Sequence, residues 1–245
     1  MLQDEYRLMH ALELSHWWFR GRRRILLDLL EQATRSTQRV PEILDYGCGT
    51  GGNTSFYAAL GSVVAIEPDR AAVRLAHARG GAQYCRCVGT SLPFRAGVFD
   101  AVLASDVLEH IEDDAAAVAE IARVIRPGGV VILTVPAHQW MFSEHDVALH
   151  HFRRYSKASI RSLLEGTGMK IRRLSYWNAS LFPLICLSRL VKAGRSSADA
   201  RSDTAGAAPW WLNQTLAGVL ASEAALLRRV SLPWGVSLVA MAQRM

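Results

Sequence analysis

The chain has 245 residues, half of them apolar and one-fifth charged, which suits one well-packed α/β domain with an appendage and leaves two full domains crowded. Its net charge of +6, with arginines gathered at 20–24, 153–154, 172–173 and 228–229, favours anionic partners or an acidic lipid surface, yet no segment resembles a nucleic-acid-binding module. The cysteines at 48, 85, 87 and 186 lack zinc spacing, no apolar run reaches the roughly 18–20 residues of a membrane span, and the acidic start Met1-Leu-Gln-Asp-Glu-Tyr6 is unlike a signal peptide, so a cytoplasmic protein with reduced thiols is expected.

Leu8, Leu12, Trp17 or Trp18, Ile25, Leu26 and Leu29 recur at helical spacing and predict helix over 4–33, with Gly21 as the hinge if it divides in two. Within it, His16-Trp-Trp-Phe-Arg20 carries three large aromatics in a row, which cannot all face one core. From Val40 the pattern alternates: strand 40–46, helix 53–60, strand 62–67, helix 69–79, strand 82–88, strand 99–104, helix 113–125 and strand 129–135. Such alternation means a parallel sheet with helices on both faces. Asp69 is placed to cap the helix after it, and Pro127-Gly128-Gly129 to stop the helix ending near Ile125. Helix 156–167, strand 169–176 and strand 235–243 complete the pattern. Between the last two strands, 181–191 is apolar, 194–209 has the composition of a disordered loop, and an amphipathic helix leads from Trp210 to Arg229. These greasy segments suit a substrate cover or a peripheral membrane contact through 181–191 and 210–229; a plain extension of the core or a dimer contact fits equally.

The stretch Ile43-Leu-Asp-Tyr-Gly-Cys-Gly-Thr-Gly-Gly52 organises the chain: strand, tight glycine loop, helix. Gly47, Gly49 and Gly52 satisfy the G-x-G-x-x-G spacing, which alone leaves a dinucleotide site open. Val63-Val-Ala-Ile-Glu67 is a second apolar strand ending in a carboxylate, suited to accept hydrogen bonds from both hydroxyls of a ribose.

Together with Leu92-Pro-Phe94, the run Phe99 to His110 and Arg126-Pro-Gly-Gly-Val-Val-Ile-Leu-Thr-Val-Pro136, this order resembles the signature blocks of class I S-adenosylmethionine-dependent methyltransferases of the type 11, ubiquinone/menaquinone-methyltransferase-like group. The resemblance covers roughly 40–176 and the last ten or so residues. It implies a doubly wound, mostly parallel, seven-stranded Rossmann-like sheet with an antiparallel last strand. An N-terminal helical cap over 1–36 and a cofactor domain over 37–245, with a helical insertion at 178–233, are expected. It implies S-adenosylmethionine as cofactor, leaving S-adenosylhomocysteine, with Asp45, Gly47, Gly49 and Gly51 at its methionine end and Glu67 on its ribose. Pro68 or Asp69 would lie beside the adenine. The acid that usually holds the adenine amine is missing from Cys87-Val-Gly-Thr-Ser-Leu-Pro-Phe94, so Thr90 or Ser91 is expected to take over. Asp106 and His110 would face the methionine end and the acceptor, while Glu109 serves there or caps the next helix. In related enzymes an N-terminal helical segment covers the pocket, which makes Trp17 and Trp18 candidate acceptor walls; packing on the sheet is the alternative.

Ionisable groups converge after the fifth strand in Trp140 to Tyr155, at the carboxyl edge where such folds bind ligands. A similar Glu-His-Asp…His-x-Arg-Arg-Tyr run occurs in a methyltransferase subfamily found beside glycan and secondary-metabolite genes. His145 is the first candidate for general base, with Asp146 to orient it, since an unperturbed imidazole titrates near pH ~6.5. His150, Arg153, Arg154 and Tyr155 are candidate acceptor contacts, the arginines for a phosphate or carboxylate. The same residues would also serve as a buried network pinning the loop. Consecutive Glu144, His145 and Asp146 make poor metal geometry, and no metal is expected. The leading expectation is methyl transfer to an O, N or C atom of a small, lipophilic acceptor, such as a prenylated, polyketide or lipid-linked molecule. Its rivals are an NAD-dependent oxidoreductase on the same loop and a non-catalytic S-adenosylmethionine-binding or membrane-associated protein.

Overall fold

A computed structural model describes residues 3–35, 37–193 and 209–245. Seven strands form one sheet in the order β3-β2-β1-β4-β5-β7-β6: β1 (Glu42–Tyr46), β2 (Ser62–Ile66), β3 (Gln83–Cys85), β4 (Phe99–Ser105), β5 (Ile125–Pro136), β6 (Met169–Trp177) and β7 (Ser237–Arg244). The first five run parallel, and β7 lies antiparallel between β5 and β6. The chain therefore winds outwards from β1 through β2 to β3, then returns to the other side of β1 with β4. That reversal opens a crevice at the carboxyl ends of β1 and β4.

Each central strand buries both faces, as a sheet covered on two sides requires. Leu44, Tyr46, Val102, Ala104, Val131 and Leu133 point to one side and pack with α5 (Asp114–Val124) and α7 (Lys157–Glu165) through Val118, Ile121, Ile160 and Leu164. Their neighbours Ile43, Ala101, Leu103 and Ile132 point to the other side. There they meet Ile25, Leu26, Leu29 and Leu30 of α2 (Trp17–Thr34) and Leu220, Ala224 and Leu227 of α9 (Trp210–Leu227). Asp69 caps α4 (Arg70–Arg79), accepting from the amides of Ala71 and Ala72 at 2.7 and 3.0 Å.

Several local expectations change. The N-terminal helical run breaks at residues 13–16, between α1 (Gln3–Leu12) and α2, and not at Gly21. Gly21 sits inside α2 because α9 crosses there: a Cβ on it would stand 2.4 Å from Leu220 Cβ. The helix expected over 53–60 is the single turn α3 (Thr54–Tyr57), and the strand expected over 82–88 stops at Cys85. Beyond Cys85 the chain leaves the edge of the sheet, where Arg86 Nε donates to the Pro68 carbonyl at 2.9 Å. Strand β5 starts at Ile125, so Pro127-Gly128-Gly129 lies at an irregularity within its pairing to β4. The run after β5 contains the short helix α6 (Glu144–Ala148), and α8 (Phe182–Ala193) follows β6. Among the described residues no helix is long and apolar enough to cross a membrane. The loop expected over 194–209 lies, but for its last residue, outside the described residues.

Candidate active site

A cavity of about 1100 Å³ fills the crevice at the carboxyl ends of β1, β2, β4 and β5. One wall is the glycine loop. Gly47 and Gly49 hold φ of +73° and +55°, the left-handed region that glycine enters without penalty. Gly47 also lies against the next strand's loop: a Cβ there would be 2.6 Å from Val107. At the loop's end, Glu67 accepts from the amides of Gly49 at 3.1 Å and Asp69 at 3.2 Å. Two carboxylate oxygens offer about four acceptor positions, so two remain for a ligand's hydroxyls. Asp45 is buried beneath the loop and accepts from Thr54 Oγ1 at 2.6 Å. Burial pushes its carboxyl up to about 7.

The opposite wall comes from α1 and α2, with Leu8, Met9, Leu12, Trp17, Trp18 and Phe19. Trp18 stacks on Trp177 with centroids 4.7 Å apart, which fixes its ring. Arg22 reaches from α2 to pair with Asp106, a non-glycine residue at φ +55° just past β4. Glu13 of the α1–α2 break enters the loop: Thr50 Oγ1 donates to it, and Arg79 lies 3.5 Å away. Burial raises the Glu13 carboxyl above its usual range.

The far end is polar, with Glu109, Asp146 and Arg154 buried. Glu109 is 1 % exposed, and neither of its carboxylate oxygens has a hydrogen-bond partner among the described residues. Burial drives its pKa well above the ordinary carboxylate value. His110 and His151 meet edge to face with centroids 4.6 Å apart, and burial draws His110 down to about 4. Behind them Asp146 is wholly buried and accepts from His151 Nδ1 at 3.0 Å and from Arg154 Nε and Nη2 at 2.8 and 3.0 Å. Burial opposes its ionisation, but the bonds from His151 and Arg154 outweigh that and hold its carboxyl below the usual range. A backbone bond from Phe152 to the Glu109 carbonyl, 2.8 Å, zips this segment onto the loop after β4.

Residues 44–133 match the family described as "Methyltransferase domain". Over that stretch the chain is similar to a methyltransferase domain. A relative from Mycobacterium sp. (strain JLS), described as an uncharacterized methyltransferase, is 34% identical over 139 residues, or 56% of this chain and 55% of that one. The chain thus spans about half the length of the curated relatives it matches. Among solved structures, a methyltransferase-like protein from Bacillus halodurans C-125 is 18% identical with a TM-score of 0.61, over 89% of this chain and 98% of that one. Phosphoethanolamine N-methyltransferase 2 of Haemonchus contortus, solved with S-adenosylmethionine, is 18% identical with a TM-score of 0.58, over 89% and 52% of the two chains. At these identities the two structures establish the fold.

Of the residues expected from sequence, Asp45, Gly47, Gly49, Glu67, Pro68, Thr90, Asp106, His110, His145, His150, Arg154, Trp17 and Trp18 line the cavity. Gly51, Ser91, Asp146, Arg153 and Tyr155 stand outside its wall. Gly51 faces Ala76, which a Cβ would approach to 3.0 Å, and so packs the loop against α4. Arg153 pairs with Asp114 at 3.1 Å, and the Tyr155 hydroxyl donates to the same carboxylate at 2.8 Å. Sequence reasoning passed over Glu13, Arg22, His151 and Asn178 as site residues, and left Glu109 between the site and a cap on the next helix, a cap that Asp113 supplies instead. Asn178 has φ +55°, is fully buried, and carries an amide with no partner among the described residues. An asparagine at a strand's end is a sequence signal for such a left-handed position, whereas the placement of Glu13 and Arg22 depends on how α1 and α2 dock.

Proposed function

We propose that this cavity moves a methyl group from S-adenosylmethionine to an O, N or C atom of a small, lipophilic acceptor. The observation that supports it best is that the glycine loop with Glu67 and the Glu109–His110–His151 cluster open on one cavity. At about 1100 Å³ the cavity exceeds the roughly 300–1,000 Å³ typical of a site for one small ligand, so cofactor and acceptor fit together. The cofactor's sulfonium supplies an already activated methyl group. Glu67 holds the ribose with its two unused acceptor positions, and Asp45 meets the ammonium with its Oδ1. Pro68 and Thr90 flank the adenine. The aromatic and aliphatic side chains of α1 and α2 give the acceptor an apolar wall, which supports a prenylated, polyketide or lipid-linked molecule of secondary metabolism.

Transfer is an in-line displacement: the acceptor–carbon bond forms as the carbon–sulfur bond breaks, and sulfur keeps the electron pair. Alignment of the two reactants is worth up to ~7–11 kcal/mol, more than any single proton transfer is asked to supply. Where the acceptor must lose a proton, His145, which faces the cavity, is the proposed base. Asp146 positions His151 and Arg154, and His150 and Arg154 contact the acceptor. In this reading residues 1–36 cap the site, 178–233 are a helical insertion, and its stretches 181–191 and 210–229 make a peripheral membrane contact.

The test is calorimetric titration with S-adenosylhomocysteine and with NAD, repeated on Glu67→Ala, followed by methyl transfer from labelled cofactor to acceptors of graded hydrophobicity. Micromolar binding of S-adenosylhomocysteine that weakens at least tenfold in Glu67→Ala is expected, with no response to NAD. Binding indifferent to Glu67, or transfer that favours polar acceptors, would overturn the corresponding half of the reading.

A further inference from the structure

We propose that Glu109, His110 and His151 bind one divalent transition-metal ion at the acceptor end of the cavity, leaving coordination positions open for oxygen atoms of the acceptor. Their ligand atoms lie within 4.8 Å of one another and come from two segments, the loop after β4 and the loop after α6. Ligands about 2.0–2.2 Å from a tetrahedral ion stand roughly 3.3–3.5 Å apart, so closure needs side-chain shifts of about an ångström. One carboxylate and two imidazoles with open positions suit zinc, cobalt, manganese or iron in the divalent state.

Two independent features point the same way. The Glu109 carboxyl is nine-tenths or more buried and neither oxygen has a partner among the described residues, an arrangement that disfavours its ionised form until a counter-charge arrives. The neighbouring charges are already matched, Asp106 by Arg22 and Asp146 by Arg154, which leaves Glu109 as the unbalanced group of this cluster. Second, His151 is held from behind: it directs Nδ1 at Asp146, 3.0 Å away, and its ring meets that of His110 edge to face with centroids 4.6 Å apart. His151 then keeps its other nitrogen for a metal, the outer-shell pattern that fixes tautomer and orientation at metal-bound histidines. The spacing is invisible along the chain: Glu109 and His110 meet His151 because Phe152 bonds the Glu109 carbonyl and Arg153 bonds the Glu112 carbonyl and pairs with Asp114.

An ion held there favours an acceptor that presents a hydroxyl, enol or carbonyl oxygen, because hard oxygen donors complete such a shell and bound hydroxyls lose their protons more readily. That acceptor class rests on the methyl-transfer reading; the ion site itself does not.

The experiment strips the full-length protein with chelator and titrates Zn²⁺, Co²⁺ and Mn²⁺ calorimetrically, with the visible absorption of Co²⁺ as a second readout. One equivalent should bind, with the thermal midpoint of the stripped protein rising on metal addition. Glu109→Gln and His151→Asn should each weaken binding by at least tenfold and abolish the metal-dependent thermal rise, while His77→Ala, on the exposed face of α4, leaves both unchanged. Folding is checked independently by titrating S-adenosylhomocysteine in every sample and by the midpoint of metal-free Glu109→Gln, which should equal or exceed that of the parent. No binding of any of the three ions, or binding that survives Glu109→Gln, would overturn the site and mean that Glu109 is simply a buried neutral acid. With S-adenosylhomocysteine still bound, that result leaves methyl transfer standing; loss of cofactor binding in the parent protein would strike the proposed function instead.

Discussion

Asp45 is the residue at which burial and ligand charge oppose each other most directly. Burial pushes its carboxyl up to about 7, so near neutrality the unliganded protein holds it half protonated. A cationic ammonium beside it favours the ionised form and draws the pKa down. Binding therefore releases a proton below about pH 7, and affinity should rise with pH until that value and then level off. From about pH 8 to about pH 6 the affinity for S-adenosylhomocysteine should fall about tenfold, one pKa unit corresponding to a factor of ten. Asp45→Asn should bind more weakly and with a flat profile. A parent profile that is already flat between those pH values would remove Asp45 from the ammonium. The same shift acts on stability with a fixed sign. Between about 4 and 7 the folded carboxyl holds a proton that the unfolded one has lost, so stability of the cofactor-free protein declines as pH rises through that window. Asp45 and Glu67 were legible because each ends a short apolar strand, where the chain direction alone sends the side chain to the ligand edge. Glu13 was not, since a carboxylate between two helical runs looks like surface until Thr50 and Arg79 are seen around it.

At the level of elements, two glycines in crossing helices carry opposite expectations. Gly21 in the interior of α2 would gain about 0.8–1.0 kcal/mol of helix propensity on replacement by alanine. Its new Cβ would, however, stand 2.4 Å from Leu220 Cβ, an atom fixed to the backbone of α9 that cannot swing aside. Overpacking of this kind costs typically about 1–3 kcal/mol, so the clash wins and Gly21→Ala should lower the thermal midpoint by several degrees. Gly218, in α9 and exposed, has nothing within 4 Å of the same position. Gly218→Ala should keep the propensity gain and raise the midpoint by roughly 1–4 °C. Thermal unfolding of both variants checks the pair, and equal signs would mean that α2 and α9 do not pack as closely as described. This contact also explains the misplaced hinge. A glycine inside a helical pattern reads as a weak point, and only a partner about 200 residues away turns it into the closest approach of two helices.

Across the whole molecule, what depends on local order was legible and what depends on distant docking was not. Apolar runs of strand length gave the parallel strands and the existence of the two late ones, while their antiparallel pairing was legible only through the family resemblance. His110 was singled out from sequence, but its meeting with His151 was not legible, because Glu109 and His110 belong to one loop and His151 to another, tied by the bond from Phe152 to the Glu109 carbonyl. The connection between β6 and β7 bears on where the protein works. Leu184 and Leu187, three apart on α8, are 65% and 59% exposed, while Ile185 between them lines the cavity. Trp210 and Trp211 at the start of α9 are 76% and 63% exposed, and of the two arginines after its end Arg228 pairs with Asp28 while Arg229 is exposed. Indole rings favour a lipid–water boundary, and basic side chains favour anionic headgroups by about 1 kcal/mol each near the surface. The proposed membrane contact thus predicts sedimentation with vesicles containing phosphatidylserine, weaker in high salt and weaker on phosphatidylcholine alone. Leu184→Ser with Leu187→Ser, and separately Trp210→Ser with Trp211→Ser, should each reduce the bound fraction several-fold while S-adenosylhomocysteine affinity stays the same. Vesicle binding untouched by both double variants would place the contact elsewhere, and no binding at all would leave these side chains to an acceptor that arrives through water.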